Sequence, residues 1–188
     1  MCRAEQLLKD PGFVERIARQ KTKFCTLVAS YVNPVRVWRR IELCDRLDAY
    51  RPLDYGGRWR NNIGGPLQGG VSNRHTLEFY APYKFAVAID NGCMRGYSTE
   101  KITDAFMTGC LPIFLGNPDI ASEFNPKSFI NAHECRTLAE VVERVKAIDG
   151  DEALYREMLA APWFHDKRHN AEFDPTRRGR YRHHAMWS

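Results

Sequence analysis

The chain has 188 residues, of which 44% are hydrophobic and 27% charged, as in globular proteins rather than disordered or collagen-like chains. That length suffices for one well-packed domain but not for two ordinary ones. No apolar run approaches the roughly 20 residues that a membrane-spanning helix needs. The formal net charge is +5, and much of the excess lies in the basic residues of 165–188. A nucleic-acid-binding domain more often carries its positive charge on its folded core, so that class is not favoured.

The first half of the chain predicts a helix, a strand, a second helix and a long loop. A helix interrupted near Pro11-Gly12 is expected over residues 4–20. Residues 23–31 are a continuous apolar run, which is typical of a buried strand, and a helix is predicted over 33–50. Residues 51–75 hold six glycines and little periodicity, which predicts a long loop around one short strand near 53–55. Loops of this length in compact domains are commonly functional or mobile.

The second half of the chain alternates regularly between strands and helices. Helical spacing is visible around residues 77–81. Further strands are predicted over 83–90, 111–116 and 128–132, and further helices over 99–108, 120–124, 137–149 and 151–161. Such alternation indicates an α/β fold with a doubly wound parallel sheet. We expect residues 1–164 to form this domain and residues 165–188 to form a basic C-terminal tail.

The stretch GYSTEKITDA, residues 96–105, places Glu100 and Lys101 in the first turn of a predicted helix. The positive end of the helix dipole favours Glu100 and disfavours Lys101 by about 0.3–1 kcal/mol. The strand before this helix ends at Asp90-Asn91, and ligands of such sheets bind beyond the carboxyl ends of the strands. An anion bound there would receive backbone N–H groups and would turn Lys101 into a charge-assisted donor. The alternative is that Lys101 points to solvent and Thr99 is an ordinary N-cap.

A longer stretch, YKFAVAIDNGCMRGYSTEKITDAFMTGCLPIFLGNPDIASEFNPKSFINAHE at residues 83–134, resembles the α-1,3/4-fucosyltransferases of glycosyltransferase family 10. The segment FNPKSFIN is most similar to the bacterial branch, and residues 23–43 resemble an upstream segment of the same family. The resemblance implies a GT-B enzyme, built from two Rossmann-like halves. This chain matches only the C-terminal half, which holds GDP-fucose. The roughly 20 residues before the first strand are too few for another such half, so we expect it to be missing.

The resemblance also implies the residues of a donor site. Arg36 and Lys101 would contact the diphosphate, Asn91 and Tyr97 would lie near the ribose and phosphates, and Glu100 would accept hydrogen bonds from sugar hydroxyls. Two positions depart from the family pattern, since Asp90 stands where Glu is usual and Ser98 where Val or Ile is usual. The reaction implied is transfer with inversion, without a metal or cofactor. No catalytic base is identifiable, because the family carries it in the other half.

The function expected is therefore that of a fucosyltransferase donor domain, which transfers L-fucose from GDP-fucose to a glycan hydroxyl such as that of an N-acetyllactosamine-like acceptor. The alternative is a GDP-sugar-binding module that is inactive without a separate N-terminal half. A basic nucleic-acid-associated protein is a third class, and no interleaved aromatic and basic residues outside the tail favour it. We expect a cytoplasmic protein, with the tail either at an anionic membrane surface or simply solvated. A Golgi location is expected instead if the chain is a truncated eukaryotic protein.

Two further patterns resemble metal sites but have ordinary structural explanations. Asp149-Gly150-Asp151 spells the DxD sequence of metal-nucleotide sites, but it lies between two amphipathic helices, where Gly150 predicts a helix stop and Asp151 an N-cap. The six cysteines include no CxxC pair, so their spacing predicts neither a zinc site nor a disulfide framework. We expect most of them to be small buried apolar residues in a reducing compartment.

Overall fold

A computed structural model describes residues 9–30, 33–69 and 73–165 of the chain. Strands β1 to β5 are Lys23–Leu27, Asp54–Tyr55, Tyr83–Ile89, Leu111–Leu115 and Ile130–Asn131. Helices α1 to α7 are Phe13–Gln20, Pro34–Tyr50, Arg74–Tyr80, Glu100–Met107, Ile120–Glu123, Leu138–Gly150 and Glu152–Ala160. Two short 3₁₀ helices, Pro126–Ser128 and Ala132–Glu134, flank β5. The predicted tail lies outside the described residues, apart from His165.

The five strands form one parallel sheet in the order β2-β1-β3-β4-β5. From β1 the chain passes to β2 on one side and then returns across β1 to β3 on the other side. The order therefore reverses between β1 and β3, whose register pairs Cys25 with Phe85. In sheets of this kind a crevice opens beyond the carboxyl ends of the two strands at that reversal, and ligands bind in it. The topology thus selects one edge of the sheet as the place for a site.

Strands β3 and β4 are buried on both sides, because helices cover both faces of the sheet. Every residue of β4 is buried, as is every residue of β3 except the partly exposed Lys84. Helix α2 packs against α6, and α3 packs against α4. Right-handed crossovers place these two pairs on opposite faces of a sheet with this strand order. The arrangement confirms the predicted doubly wound α/β fold.

Three predicted elements differ in extent from the observed ones. The first helix begins at Phe13, after the Pro11-Gly12 turn, and residues 1–8 lie outside the described part. Strand β1 ends at Leu27, and the following residues leave the ladder to line a cavity. The predicted strand 128–132 shrinks to two residues, because Asn125 and Asn131 each accept a hydrogen bond from a backbone N–H two residues later. Those contacts favour tight turns over an extended strand.

The DxD sequence has structural partners in the described structure. The buried Asp149 carboxylate accepts hydrogen bonds from Arg51 Nη1 at 2.6 Å and from the Tyr50 hydroxyl at 3.2 Å. Asp151 caps α7, since its Oδ1 accepts from the backbone N–H groups of Ala153 and Leu154 at 2.9 and 3.1 Å. Helix α6 ends at Gly150, so the predicted helix stop and N-cap are both confirmed. The motif joins helices and ties α6 to the end of α2.

Within residues 9–30, 33–69 and 73–165, no helix is both long and apolar enough to cross a membrane. Of the cysteines, Cys25, Cys44 and Cys110 are buried, Cys135 is partly buried and Cys93 is exposed. The buried ones fit the prediction of small apolar residues, and Cys93 does not.

Candidate donor site

A cavity of about 490 Å³ opens at the carboxyl edge of the sheet, next to the reversal between β1 and β3. Its walls are residues 28–30 after β1, residues 56–58 and 66–69 after β2, Asn91 after β3, and Glu100 and Lys101 at the start of α4. Arg40 of α2 and Thr76 of α3 complete it. This volume lies within the roughly 300–1,000 Å³ typical of small-molecule sites. The position agrees with the one that the topology selects.

The glycine-rich loop after β2 is folded over the end of β1 by backbone contacts. Gly56 N–H donates to Leu27 O, and Trp59 N–H donates to Ala29 O, both at 3.0 Å. A Cβ on Gly57 would lie 2.1 Å from Ala29 O, so only glycine permits this approach. The side chain of Asn61 then donates to Tyr55 O and Gly57 O and accepts from Gly65 N–H. The described part of the predicted long loop therefore forms a wall of the cavity.

The first turn of α4 brings Glu100 and Lys101 into the cavity. Lys101 Nζ lies 3.1 Å from Thr99 Oγ1 and 3.3 Å from Glu100 Oε1, and its side chain is only 18% exposed. The alternative that Lys101 points to solvent is therefore wrong. Thr99 is the N-cap by position, but its hydroxyl makes no capping hydrogen bond and donates to Asp90 Oδ1 instead. The start of this helix is thus held by side chains of the site.

Asp90 lies beneath that turn and is buried. Its Oδ2 has no hydrogen-bond partner, and burial raises the pKa of its carboxyl to about 6 although Thr99 and Lys101 oppose the shift. The end of β4 crowds it closely, because a Cβ on Gly116 would lie 2.4 Å from that Oδ2. Asp90 therefore stands behind the wall of the cavity, where a longer side chain such as Glu would need more room.

Arg40 is buried at 1% exposure, on the face of α2 that also carries Val37, Cys44 and Leu47. Its Nη2 donates to Ile89 O at 2.7 Å and to Asn91 Oδ1 at 2.8 Å. Arg40 is not among the predicted site residues, although it follows Val37 by three residues and precedes Cys44 by four, which is the spacing of one helix face. Burial lowers the pKa of its guanidinium, which still carries its charge at neutral pH.

The loop between β3 and α4 is clamped from the neighbouring strand end. The buried Asn117, which follows β4, accepts from Gly96 N–H at 3.1 Å and donates to Glu123 Oε1 at 2.7 Å. Ser98 Oγ donates to Glu123 Oε2 at 2.9 Å. Ser98 stands where the family usually has Val or Ile, and its hydroxyl takes part in a hydrogen-bond network with Glu123 and Asn117. Between these anchors Tyr97 is 40% exposed.

The structure brings together three of the five predicted donor-site residues: Asn91, Glu100 and Lys101 all line the cavity. Tyr97 is not among the lining residues, although its phenol is close enough to Asp90 and Glu100 for them to add to the burial that raises its pKa. Arg36 lies in α2, and its side chain is outside the described part of the structure. The roles of all five residues as ligand contacts remain predictions.

The charges around the cavity favour an anionic ligand. Among its lining residues Arg40, Arg58 and Lys101 are cationic and Glu100 is acidic. The exposed Arg58, like Arg40, was not predicted; it lies in the glycine-rich loop, where the sequence has no periodicity to place it. Within the ranges that the structure describes, no three His, Cys, Asp or Glu side chains are grouped so that they could hold a metal ion.

Comparison with known proteins identifies relatives of this chain in sequence and in fold. Residues 18–178 match the profile of the C-terminal region of glycosyltransferase family 10 (fucosyltransferase). The chain is 36% identical over 140 residues to the α-(1,3)-fucosyltransferase FucT of Helicobacter pylori, a match that covers 74% of this chain and 27% of that protein. A putative fucosyltransferase of Acanthamoeba polyphaga mimivirus is 28% identical over 150 residues, covering 77% of this chain and 24% of the relative.

A solved structure extends the agreement from sequence to fold. An α1,3-fucosyltransferase determined with GDP-fucose superposes with a TM-score of 0.70 at 31% identity, covering 84% of this chain and 48% of that one. The chain thus spans less than half the length of each of these relatives. Because most of the chain matches the family profile and the fold agrees, the chain belongs to glycosyltransferase family 10, the fucosyltransferase family, and corresponds to its C-terminal region.

Proposed function

We propose that the cavity binds GDP-fucose and that the chain is the donor-binding part of a fucosyltransferase, which transfers L-fucose to a glycan hydroxyl. The observation that carries the proposal is the pair Glu100 and Lys101 in the first turn of α4, inside a cavity with a positively charged lining. A helix start with a lysine beside it suits a diphosphate. The solved relative with GDP-fucose supports the choice of donor.

The proposed roles follow the chemistry of each side chain. Lys101 and Arg36 bind the diphosphate, Asn91 and Tyr97 lie near the ribose and phosphates, and Glu100 accepts hydrogen bonds from hydroxyl groups of the ribose or fucose. In the reaction the bond between C1 of fucose and the β-phosphate oxygen breaks while the acceptor oxygen bonds to C1 from the opposite side. Negative charge builds on the departing GDP, and cations fixed near the diphosphate stabilise it in the transition state. We propose inversion, with these cations rather than a metal or cofactor stabilising the departing GDP.

The acceptor is proposed to be an N-acetyllactosamine-like glycan, and its deprotonation needs a base that we assign to another part of the enzyme. A second candidate is a GDP-sugar-binding module that is inactive without an N-terminal half, because the matched region is less than half of each relative. A radiolabelled GDP-fucose assay with N-acetyllactosamine separates the two. Transfer by this chain alone would exclude the module and show that a base is present.

The donor assignment is tested by replacing Lys101. Lys101→Ala should weaken GDP and GDP-fucose binding about 10- to 100-fold, because a charge-assisted hydrogen bond contributes roughly 1.5–3 kcal/mol. Isothermal titration calorimetry measures the dissociation constants, and circular dichroism checks the fold. Lys127→Ala removes an exposed lysine from outside the cavity and should leave binding unchanged.

Two results would contradict this proposal at different levels. Unaltered GDP-fucose affinity in Lys101→Ala would show that the site has been placed wrongly. Failure of the unsubstituted chain to bind any guanosine nucleotide would contradict donor binding altogether, and with it both candidate functions.

A further inference from the structure

Arg40 is a buried cation without a carboxylate partner in the described part of the chain. Its two hydrogen-bond acceptors, Ile89 O and Asn91 Oδ1, are neutral, and its Nε is buried without a partner. Asp90 acts on it electrostatically, but the two side chains form no ion pair in the described structure. A buried charge normally needs a counter-charge, so the neutral acceptors of Arg40 call for an explanation. Its place in the cavity wall provides one.

The contact between Arg40 and Asn91 determines the direction of the Asn91 carboxamide. A guanidinium only donates hydrogen bonds, whereas a carboxamide has an accepting oxygen and a donating nitrogen. Asn91 must therefore turn Oδ1 towards Arg40, at 2.8 Å, and leave both N–H groups of Nδ2 to point elsewhere. No residue in the described ranges accepts a hydrogen bond from that Nδ2, and Asn91 is an exposed residue of the cavity wall.

We infer that Arg40 is a positioning residue, which holds Asn91 so that its N–H groups donate to an acceptor oxygen of the bound nucleotide. The inference rests on the proposed function and deepens it by giving Asn91 a polarity: Asn91 is a donor, and its ligand partner is a phosphate or sugar oxygen. Arg40 also bonds the last carbonyl of β3. It therefore fixes both the backbone and the side chain at the strand end from which the site begins.

The polarity of Asn91 is tested by a replacement that conserves its shape. Asn91→Asp keeps an acceptor for Arg40 but removes both N–H donors, so GDP affinity should fall at least as far as in Asn91→Ala, about tenfold. Asn91 is exposed, so neither variant should disturb the fold. Equal GDP affinity in Asn91→Asp and the unsubstituted chain, measured by calorimetry, would overturn the donor role.

The positioning role is tested by a double-mutant cycle between Arg40→Met and Asn91→Ala. If Arg40 acts through Asn91, each single variant should lose about tenfold in GDP affinity and the double variant little more, because both remove one interaction. If the double variant instead loses GDP affinity by the product of the two single losses, Arg40 acts independently of Asn91. That result would overturn the inference. Arg46→Met is the matched control, because Arg46 lies on the same helix but is exposed and paired with Glu42. Arg40→Lys keeps a cation and should recover part of the lost affinity.

A measurement without ligand separates this inference from the proposed function. In the free protein, the ¹H–¹⁵N signals of the Asn91 side-chain amide should shift and draw together in Arg40→Met but stay in place in Arg46→Met. Loss of the contact with a cation would free the carboxamide to rotate. Unchanged signals in Arg40→Met would overturn the positioning role even if GDP binds. Absence of GDP binding by the unsubstituted chain would instead contradict the proposed function and leave the spectroscopic result to decide the role of Arg40.

Discussion

Asp90 and Lys101 lie on either side of one hydroxyl group, that of Thr99. The hydroxyl donates to Asp90 Oδ1 and lies 3.1 Å from Lys101 Nζ. Lys101 lines the cavity while Asp90 is buried behind it, so the threonine separates a cation available to a ligand from a carboxyl that is not. Burial is the largest influence on Asp90 and raises its pKa to about 6. Lys101 can contact a ligand and Asp90 cannot, because only Lys101 reaches the open cavity.

The raised pKa of Asp90 predicts a dependence of stability on pH. In the unfolded chain this carboxyl ionises near pH 3.8, whereas in the folded protein it ionises near pH 6. Its contribution to the free energy of unfolding is therefore fully present below pH 3.8 and falls as the pH rises through 6, by up to about 3 kcal/mol. Asp90→Asn keeps an acceptor for Thr99 and removes this loss. The difference in the free energy of unfolding between Asp90→Asn and the unsubstituted chain should therefore be larger at pH 7.5 than at pH 4.5, in favour of the variant.

Urea denaturation at the two pH values measures this gain. Asp45→Asn, which replaces an exposed aspartate paired with Arg60, is the control and should show no comparable gain. A difference between Asp90→Asn and the unsubstituted chain that stays the same at pH 4.5 and pH 7.5 would rule out a raised pKa.

At the scale of elements, side-chain contacts with the backbone set where helices and strands end. Asn125 and Asn131 form the 3₁₀ turns that reduce β5 to two residues, and Asn73 caps α3 by accepting from Thr76 N–H. The loop after β2 is ordered in the same way by Asn61. Capping residues can be read from sequence because their partners are two or three positions away. The length of a strand also depends on the segments that pair with it, as the loop after β2 does with the end of β1.

The cap of α7 provides a prediction at this scale. Asp151→Ala removes two hydrogen bonds to the backbone N–H groups of Ala153 and Leu154 and a favourable charge at the helix start. The free energy of unfolding should fall by about 1 kcal/mol, and Asp151→Ser should recover most of it because serine also caps. Chemical denaturation gives both values. If GDP binding, measured in parallel, depended on Asp151, the structural interpretation of the DxD sequence would be contradicted.

At the scale of the whole molecule, an aromatic cluster joins segments that are far apart in the chain. The ring of Phe106 in α4 lies 5.4 Å from that of Phe124, 6.3 Å from that of Phe129 and 5.5 Å from that of Trp163. Trp163 in turn packs edge to face on Phe13 of α1 at 5.5 Å. The same helix that begins in the cavity therefore ends in a core that links α1 to the segment following α7.

Removal of the central ring should test how far this core supports the fold. Phe106 is fully buried, so Phe106→Ala should lower the free energy of unfolding by about 3–5 kcal/mol, through lost burial and the cavity left behind. Phe106→Leu should cost clearly less, because most of the volume is kept. Thermal and urea denaturation measure both. A loss below 1 kcal/mol in Phe106→Ala would show that the cluster does not hold the molecule together.

The sequence by itself determined the features that depend on near neighbours in the chain. Periodicity showed the alternation of strands and helices, local spacing placed Glu100 and Lys101 at a helix start, and the ordered motifs of residues 83–134 predicted the family that the comparisons confirmed. The end of β1 was misplaced, because the loop after β2 folds over it. Strand β5 was predicted too long, because the local turns formed by Asn125 and Asn131 were not recognised.

The tertiary structure alone decided the burial of Arg40, the pairing of Thr99 with Asp90 and the folding of the glycine-rich loop over β1. Each of these brings together residues from different elements of the fold, and the environment of a charge depends on everything packed around it. An arginine on a helix has the same sequence signal whether it meets water or a strand end. Only the meeting of α2 with the end of β3 makes Arg40 part of the site.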